Sequence, residues 1–172
     1  SLEKGSKRMS SPGRNPHRKT GVKVKSLMLK SDGPWQGRQY KVEGRRLSLT
    51  DIEHRIVHGL WNDPSVMYGL SCPAKGCPAL MPRAFKANSV RAQLAASAQQ
   101  FISDENNVVV RRKRLRPSAL YIWHHNLFPD KESVLAHLRQ IGNDRLRRQL
   151  TGVVDVKGEQ FSWKLNGKKP PE

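Results

Sequence analysis

Two stretches of helical periodicity, residues 50–60 and 87–102, are held apart by a segment that cannot be helical. Between Asn62 and Pro82 the chain places four prolines, two glycines and both of its cysteines. Proline removes a backbone donor and clashes with the preceding turn, so the two helices cannot merge. Thr50 caps the first helix, with Glu53 three residues on as its capping-box partner. Ile52, Ile56, Val57 and Leu60 recur at helical spacing as its buried face. The second helix carries the stripe Val90, Leu94, Ala98, Phe101 and Ile102.

Short extended segments surround these helices. Val22, Val24, Ser26 and Met28 form a short strand face, followed by turn chemistry at Ser31-Asp32-Gly33-Pro34. Gln39–Val42 reads as a strand, with Glu43-Gly44 as a tight turn into a second. Val108–Leu115 alternates weakly as one strand, which Pro117 ends. Ser118 caps a short helix through Trp123, and a longer one runs from Lys131 to Ile141 between Asp130 and the stop at Gly142. The tail offers strands Val153–Val156 and Gln160–Leu165, joined by Lys157-Gly158-Glu159. There is no internal repeat. Separated helices and small antiparallel strands predict one α+β domain over residues 22–167 rather than a doubly wound sheet. Residues 1–21, a mixture of Gly, Pro, Ser and basic side chains, are expected to be disordered and dispensable for folding, and residues 168–172 form a short tail.

Charge narrows the choice of partners. The chain has 32 Lys and Arg against 14 Asp and Glu, a net of +18. Residues 1–48 hold 13 basic and 3 acidic side chains, so more than half of the excess lies in the first third. Such a balance fits polyanions, whether nucleic acid or an anionic membrane surface, and equally a basic surface with no partner. For the first 21 residues a basic arm stands beside the preferred reading of a remnant or a misassigned gene start. No run of about 18 apolar residues exists, so no membrane-spanning segment is expected. No signal peptide is visible, and a targeting segment upstream of Ser1 stays open.

Candidate chemistry concentrates in Gly69-Leu70-Ser71-Cys72-Pro73-Ala74-Lys75-Gly76-Cys77-Pro78. Two cysteines five positions apart permit four readings. A structural zinc would need two more ligands, from His54, His58, His124 or His125, and the usual ligand spacings are missing. A disulfide requires an oxidising compartment and closes only a short loop. A catalytic thiol, Cys72 or Cys77, needs a lowered pKa and a base within reach, and Lys75 between them favours a thiolate. Two ordinary buried cysteines acting as small hydrophobes are the fourth reading. The loop is expected beside the start of the 87–102 helix, with Cys77 more buried than Cys72. An exposed His124-His125 pair suits metal binding or acid–base work, but adjacent helical residues point apart, which makes joint ligation of one metal awkward, and two surface histidines at a helix end is the preferred reading. No metal site and no cofactor is assigned. The densest basic patch is Arg111-Arg112-Lys113-Arg114-Leu115-Arg116. On a single strand only alternate members would reach one polyanion, through salt-sensitive and sequence-blind phosphate contacts.

Four segments in register carry a family resemblance. They are Gly33-Pro34-Trp35 with Gly44-Arg45-Arg46-Leu47-Ser48-Leu49-Thr50-Asp51-Ile52-Glu53-His54; Asp63-Pro64 with Leu70-Ser71-Cys72 and Gly76-Cys77-Pro78-Ala79-Leu80; Pro117-Ser118 leading to Trp123; and Phe161-Ser162-Trp163-Lys164-Leu165-Asn166. From about Val22 to Asn166 the chain resembles domain of unknown function 547, as a divergent member without the family's N-terminal helical part. The resemblance implies a bacterial protein of the periplasm or envelope, or of the cytoplasm if no export signal lies upstream. It also implies a partial papain-like, thiol hydrolase-like fold. The family's histidine after Asp-Pro-Arg is Met67 here, with Ser65 for the arginine, and its aspartate in the tryptophan motif is Leu127. Met67 cannot accept a proton and Leu127 cannot orient a histidine. The expectation is therefore a domain derived from a thiol-dependent hydrolase and impaired in this chain, with no histidine nitrogen within hydrogen-bond reach of either sulfur. The alternative is a non-catalytic module that binds polyanions through its basic surface.

Overall fold

The structure, a computed structural model, describes residue 33 and residues 35–167. The segments read as 1–21, as a strand at Val22–Met28 and as the 168–172 tail lie outside the described residues. Strands β1 (Tyr40–Val42) and β2 (Arg45–Leu47) form an exposed antiparallel hairpin with Tyr40 opposite Leu47. Glu43 and Gly44 turn it with φ of 46° and 80°, as a two-residue turn of matching twist demands.

Helix α1 covers residues 49–60 in three stretches: Leu49–Asp51 is α-helical, Ile52–Val57 is π-helical and His58–Leu60 is α-helical again. It starts two residues earlier than the sequence suggested. Ser48, not Thr50, is the cap: its Oγ accepts from the Asp51 amide at 2.9 Å, while Asp51 accepts from the Ser48 amide at 3.1 Å. Nor does α1 bury a full apolar face, since Ile52, Ile56 and Val57 are half-buried and Leu60 is exposed. The Asn62–Pro82 segment contains one 3-10 turn, Pro64–Gly69, which carries Met67 and Tyr68 into the core. Helix α2 (Val90–Ser103) packs on that turn and buries Leu94, Ala98, Phe101 and Ile102, the expected stripe except for half-buried Val90.

The segment read as one strand is a hairpin. β3 (Val108–Arg111) pairs antiparallel with β4 (Arg114–Pro117), and Arg112 and Lys113 make the turn at φ of 50° and 59°. Helix α3 (Leu120–Trp123) follows, with the Ser118 hydroxyl accepting from the Leu120 amide. Helix α4 (Lys131–Ile141) has the expected bounds, opened by a capping box between Asp130 and Ser133. Helix α5 (Asp144–Thr151), which the sequence did not reveal, is capped by Asn143 and packs on α4. β5 (Asp155–Val156) then joins β4 in parallel, so the three-stranded sheet is mixed. Gln160–Leu165 is not a strand; it makes single bridges, Ser118 to Gln160 and Ala74 to Leu165. The core gathers Tyr68, Phe101, Leu115, Tyr121, Leu138 and Leu150 from the 3-10 turn, α2, β4, α3, α4 and α5, while β1, β2 and α1 lie outside it. The result is a single α+β domain. Among the described residues no helix is long and apolar enough to cross a membrane.

Candidate functional site

The π-helical stretch of α1 decides which side chains meet. In an α-helix, positions five apart lie about 140° apart around the axis. A π turn bonds i to i+5 instead, and here the His58 amide donates to the Glu53 carbonyl. Glu53 and His58 are thereby drawn to one side of the helix. From the other wall comes His124, at the C-terminal end of α3. Its amide donates to the Leu120 carbonyl at 3.0 Å, and its own carbonyl accepts from Leu127 and Phe128 at 2.8 and 3.0 Å. The His58 and His124 rings lie 4.7 Å apart between centroids, tilted by 47°, with His54 6.0 Å beyond His58. One donor atom from each of Glu53, His58 and His124 lies within 4.8 Å of the others.

These groups are poorly hydrated. His124 is 7% exposed, which corrects the expectation of two surface histidines; only His125 is exposed. Burial first, then His58 and His54, push the His124 pKa down to about 4. Burial, followed by His54, also lowers that of His58. Burial raises the Glu53 carboxyl, partly opposed by His54. Both imidazoles are accordingly neutral near pH 7. Both ring nitrogens of His58 are buried without a hydrogen-bond partner. Each such orphan costs about 1–3 kcal/mol of unrecovered hydration.

A cavity of about 220 Å³ opens beside this cluster, with Glu53, His54 and His124 in its lining. Met67, Cys72, Cys77 and Trp123 also line it, so the cysteine loop and His124 do meet. The two cysteines form a disulfide with Cα atoms 5.6 Å apart. Neither sulfur is a thiol in this state, and no thiolate is available at the Cys72 and Cys77 positions named for catalysis. The expected order of burial is reversed, since Cys72 is buried and Cys77 half-buried. The cause is the neighbour. The loop is covered by the 160–166 segment: Lys75 and Gly76 amides donate to the Lys164 and Ser162 carbonyls at 2.8 and 3.0 Å, and the Asn166 side chain donates to the Cys72 carbonyl at 2.9 Å. Gly76 permits this approach, because a Cβ there would stand 2.7 Å from the Phe161 ring. Phe161, Trp163 and Trp123 pack together over the loop, with centroids 4.6–5.6 Å apart. Met67 lines the same cavity while 1% exposed, so a histidine at this position would share that cavity with the disulfide. Leu127 is half-buried against the main core.

A second polar group joins two buried tyrosines to half-buried His137. Tyr68 Oη is 2.9 Å from both Tyr121 Oη and His137 Nε2. Burial raises both phenol pKa values and lowers that of His137, which Asp63 partly opposes. Unlike the orphaned His58 nitrogens, these groups satisfy each other, as a structural network does.

The basic run occupies a different surface. Folding it into a hairpin changes which residues share a face. Arg111 pairs across the strands with Arg114, and Val109 with Arg116. Arg111, Arg114 and Arg116 therefore project together from the outer face, while Val108, Leu115 and Pro117 are buried on the inner one. The expectation that alternate members point apart fails because the turn at Arg112 and Lys113 reverses the chain. All four arginines and Lys157 line one shallow groove of about 570 Å³, with Glu105 at its edge. None of the ion pairs among the described residues engages the four arginines or Lys113.

Glu53 was visible in the sequence only as a capping residue, and His58 only as one of four histidines that could join the cysteines around a zinc. Their five-residue spacing signals nothing on an ordinary helix, and the π stretch has no signature to expose it. Comparison with curated proteins and with solved structures returned no match. The family described as "Protein of unknown function, DUF547" matches residues 14–102, just over half of the chain. That span holds the β1–β2 hairpin, α1 with Glu53 and His58, the disulfide loop and nearly all of α2, while α3 and the 160–166 segment follow it. The chain belongs to the DUF547 family.

Proposed function

We propose that this DUF547 domain is a non-catalytic binding module that engages polyanions through the outer face of the β3–β4 hairpin. The observation that carries this reading is the alignment of Arg111, Arg114 and Arg116 on one solvent-facing surface, joined in a single groove by Arg112 and Lys157, with none of these arginines in the ion pairs among the described residues. The apolar inner face fixes the strands, so the cations are presented at set spacing. Nucleic acid and anionic envelope components share the phosphate chemistry such a surface recognises. The disulfide supports an oxidising compartment, the periplasm or envelope, and favours the envelope component.

Titration of fluorescent single-stranded DNA and sedimentation with phosphatidylglycerol vesicles, each at several salt concentrations, test this. Binding is expected to weaken steeply with salt. Arg111→Glu/Arg114→Glu/Arg116→Glu should lower the slope of log K against log salt by roughly 2–3, about 0.7–0.9 for each phosphate contact. Salt-independent binding, or a slope unchanged in that variant, would defeat the proposal.

Descent from a thiol-dependent hydrolase, with a partial papain-like fold, is the second reading. It is supported by the one cavity that Cys72, Cys77 and His124 line together. With the sulfurs joined to each other, and Met67 in place of a base, we infer that this copy performs no thiol-dependent turnover. Rapid alkylation of a cysteine well below pH 7 in the reduced protein, lost in His124→Gln, would reverse that inference.

A further inference from the structure

We propose that Glu53, His58 and His124 form a binding site for one divalent transition-metal ion of the zinc class. The proposal is independent of the basic hairpin. Three observations converge on it. First, a carboxylate and two imidazoles, from helix α1 and the end of α3, bring donor atoms within 4.8 Å of one another. Two histidines and one glutamate are a donor set that zinc accepts, at about 2.0–2.2 Å from each atom. Tetrahedral ligands at that distance stand about 3.3 Å apart, so the side chains need to close by roughly 1 Å or more. Second, both ring nitrogens of His58 are buried and unpartnered. Buried polar groups in folded proteins are nearly always satisfied, and an unsatisfied one calls for an explanation such as an ion. The Tyr68–Tyr121–His137 network, equally shielded, leaves no such orphan at its centre. Third, the π-helical stretch exists where it is needed. π turns are rare and concentrate at functional sites, and this one sets Glu53 and His58 on a common side.

The chemistry of the pocket agrees with the geometry. Imidazole ligates through a ring nitrogen, and both ring nitrogens of His58 are shielded from solvent. Half-buried Glu53 belongs to none of the ion pairs among the described residues, so its carboxylate is open to a cation. Glu53 and His124 line the 220 Å³ cavity, which gives an ion a route in, while His58 stands behind them outside its lining. Three protein donors with one open position is the arrangement of reactive rather than purely structural zinc sites. Sequence spacing concealed the site because its ligands are five and then sixty-six positions apart.

The test is calorimetric titration of Zn²⁺ into the full chain, prepared without a histidine tag and stripped with chelator, alongside visible spectroscopy of the Co²⁺ complex. One ion per chain is expected, together with a rise in the thermal midpoint, because the ion binds only the folded state. The Co²⁺ complex should show the intense visible bands of a four- or five-coordinate site. Glu53→Gln and His58→Gln should each weaken Zn²⁺ binding at least tenfold, whereas His125→Gln, at an exposed histidine, should leave it unchanged. Should a His58 or His124 variant fail to fold, the Glu53→Gln affinity and the wild-type Co²⁺ spectrum still decide. Binding that Glu53→Gln does not alter, or a Co²⁺ spectrum like that of the hexaaqua ion, overturns the proposal.

Discussion

The β3–β4 hairpin and the Glu53–His58–His124 pocket both gather nitrogen bases, yet solvent treats them in opposite ways. On the hairpin, the arginines are exposed to solvent, and the strands beneath them hold position through Val108, Leu115 and Pro117. In the pocket, the imidazoles lose their water and with it their charge. The first region attracts anions at long range. The second, its bases neutral and its carboxylate close by, suits a cation at short range. Net charge describes the first region and is blind to the second, so a composition of +18 says little about the molecule's most unusual site.

The largest effect should come from exchanging the two faces of the hairpin. Leu115 is fully buried, and Leu115→Ala should cost about 2–5 kcal/mol in denaturant unfolding. Arg111→Ala on the outer face should cost no more than about 0.5 kcal/mol. Equal losses would mean that the outer arginines are packed, and the proposed exposed surface would fail.

Next comes acid sensitivity of the pocket. His124 ionises near 6.5 when unfolded and at about 4 when folded. Between those values the unfolded chain takes up a proton that the folded chain refuses. Stability is therefore complete above pH 6.5 and falls as the pH is lowered toward 4, by on the order of 3 kcal/mol. Chelator-treated His124→Gln should show a shallower fall over this window, measured by urea midpoints at stepped pH. An unchanged slope would place the His124 ring in water.

A smaller effect sharpens the account of the disulfide loop. Gly76→Ala would set a methyl group 2.7 Å from the Phe161 ring and 2.8 Å from the Ser162 amide. Because one of those neighbours is backbone, relief requires the 160–166 segment to move, at about 1–3 kcal/mol. Tryptophan fluorescence should shift in the same variant, since Trp123 and Trp163 pack around Phe161. A variant as stable as wild type would show that this segment is loosely held.

Sequence made the strongly periodic elements legible. Helices α2 and α4 show an apolar stripe or a clean cap, and each lies within a few residues of its expected place. The start of α1 slipped because two capping patterns overlap, Ser48 to Asp51 and Thr50 to Glu53, and only tertiary contact chooses between them; the Thr50 amide is held by the Trp35 carbonyl at 3.0 Å. Helix α5 was missed because its eight residues are mostly charged or polar, with Leu146 and Leu150 alone marking the buried side. The β3–β4 turn was missed because Arg112 and Lys113 adopt left-handed backbone conformations that usually announce themselves as glycine or asparagine. Of the candidate residues, His124 and the two cysteines did converge on one cavity, but their neighbours Glu53 and His58 depend on helix geometry that residue types do not encode.

That geometry has a consequence for inheritance. A π turn is an α-helix carrying one additional residue, so the 52–57 stretch behaves as a tolerated insertion. Loss of a single codon within it would leave a shorter, regular and perfectly respectable helix. Glu53 and His58 would then stand four positions apart, about 40° around the axis, and would still share one side of the helix. Related chains one residue shorter here would present the same pair of side chains from a regular helix, with the spacing changed from five to four.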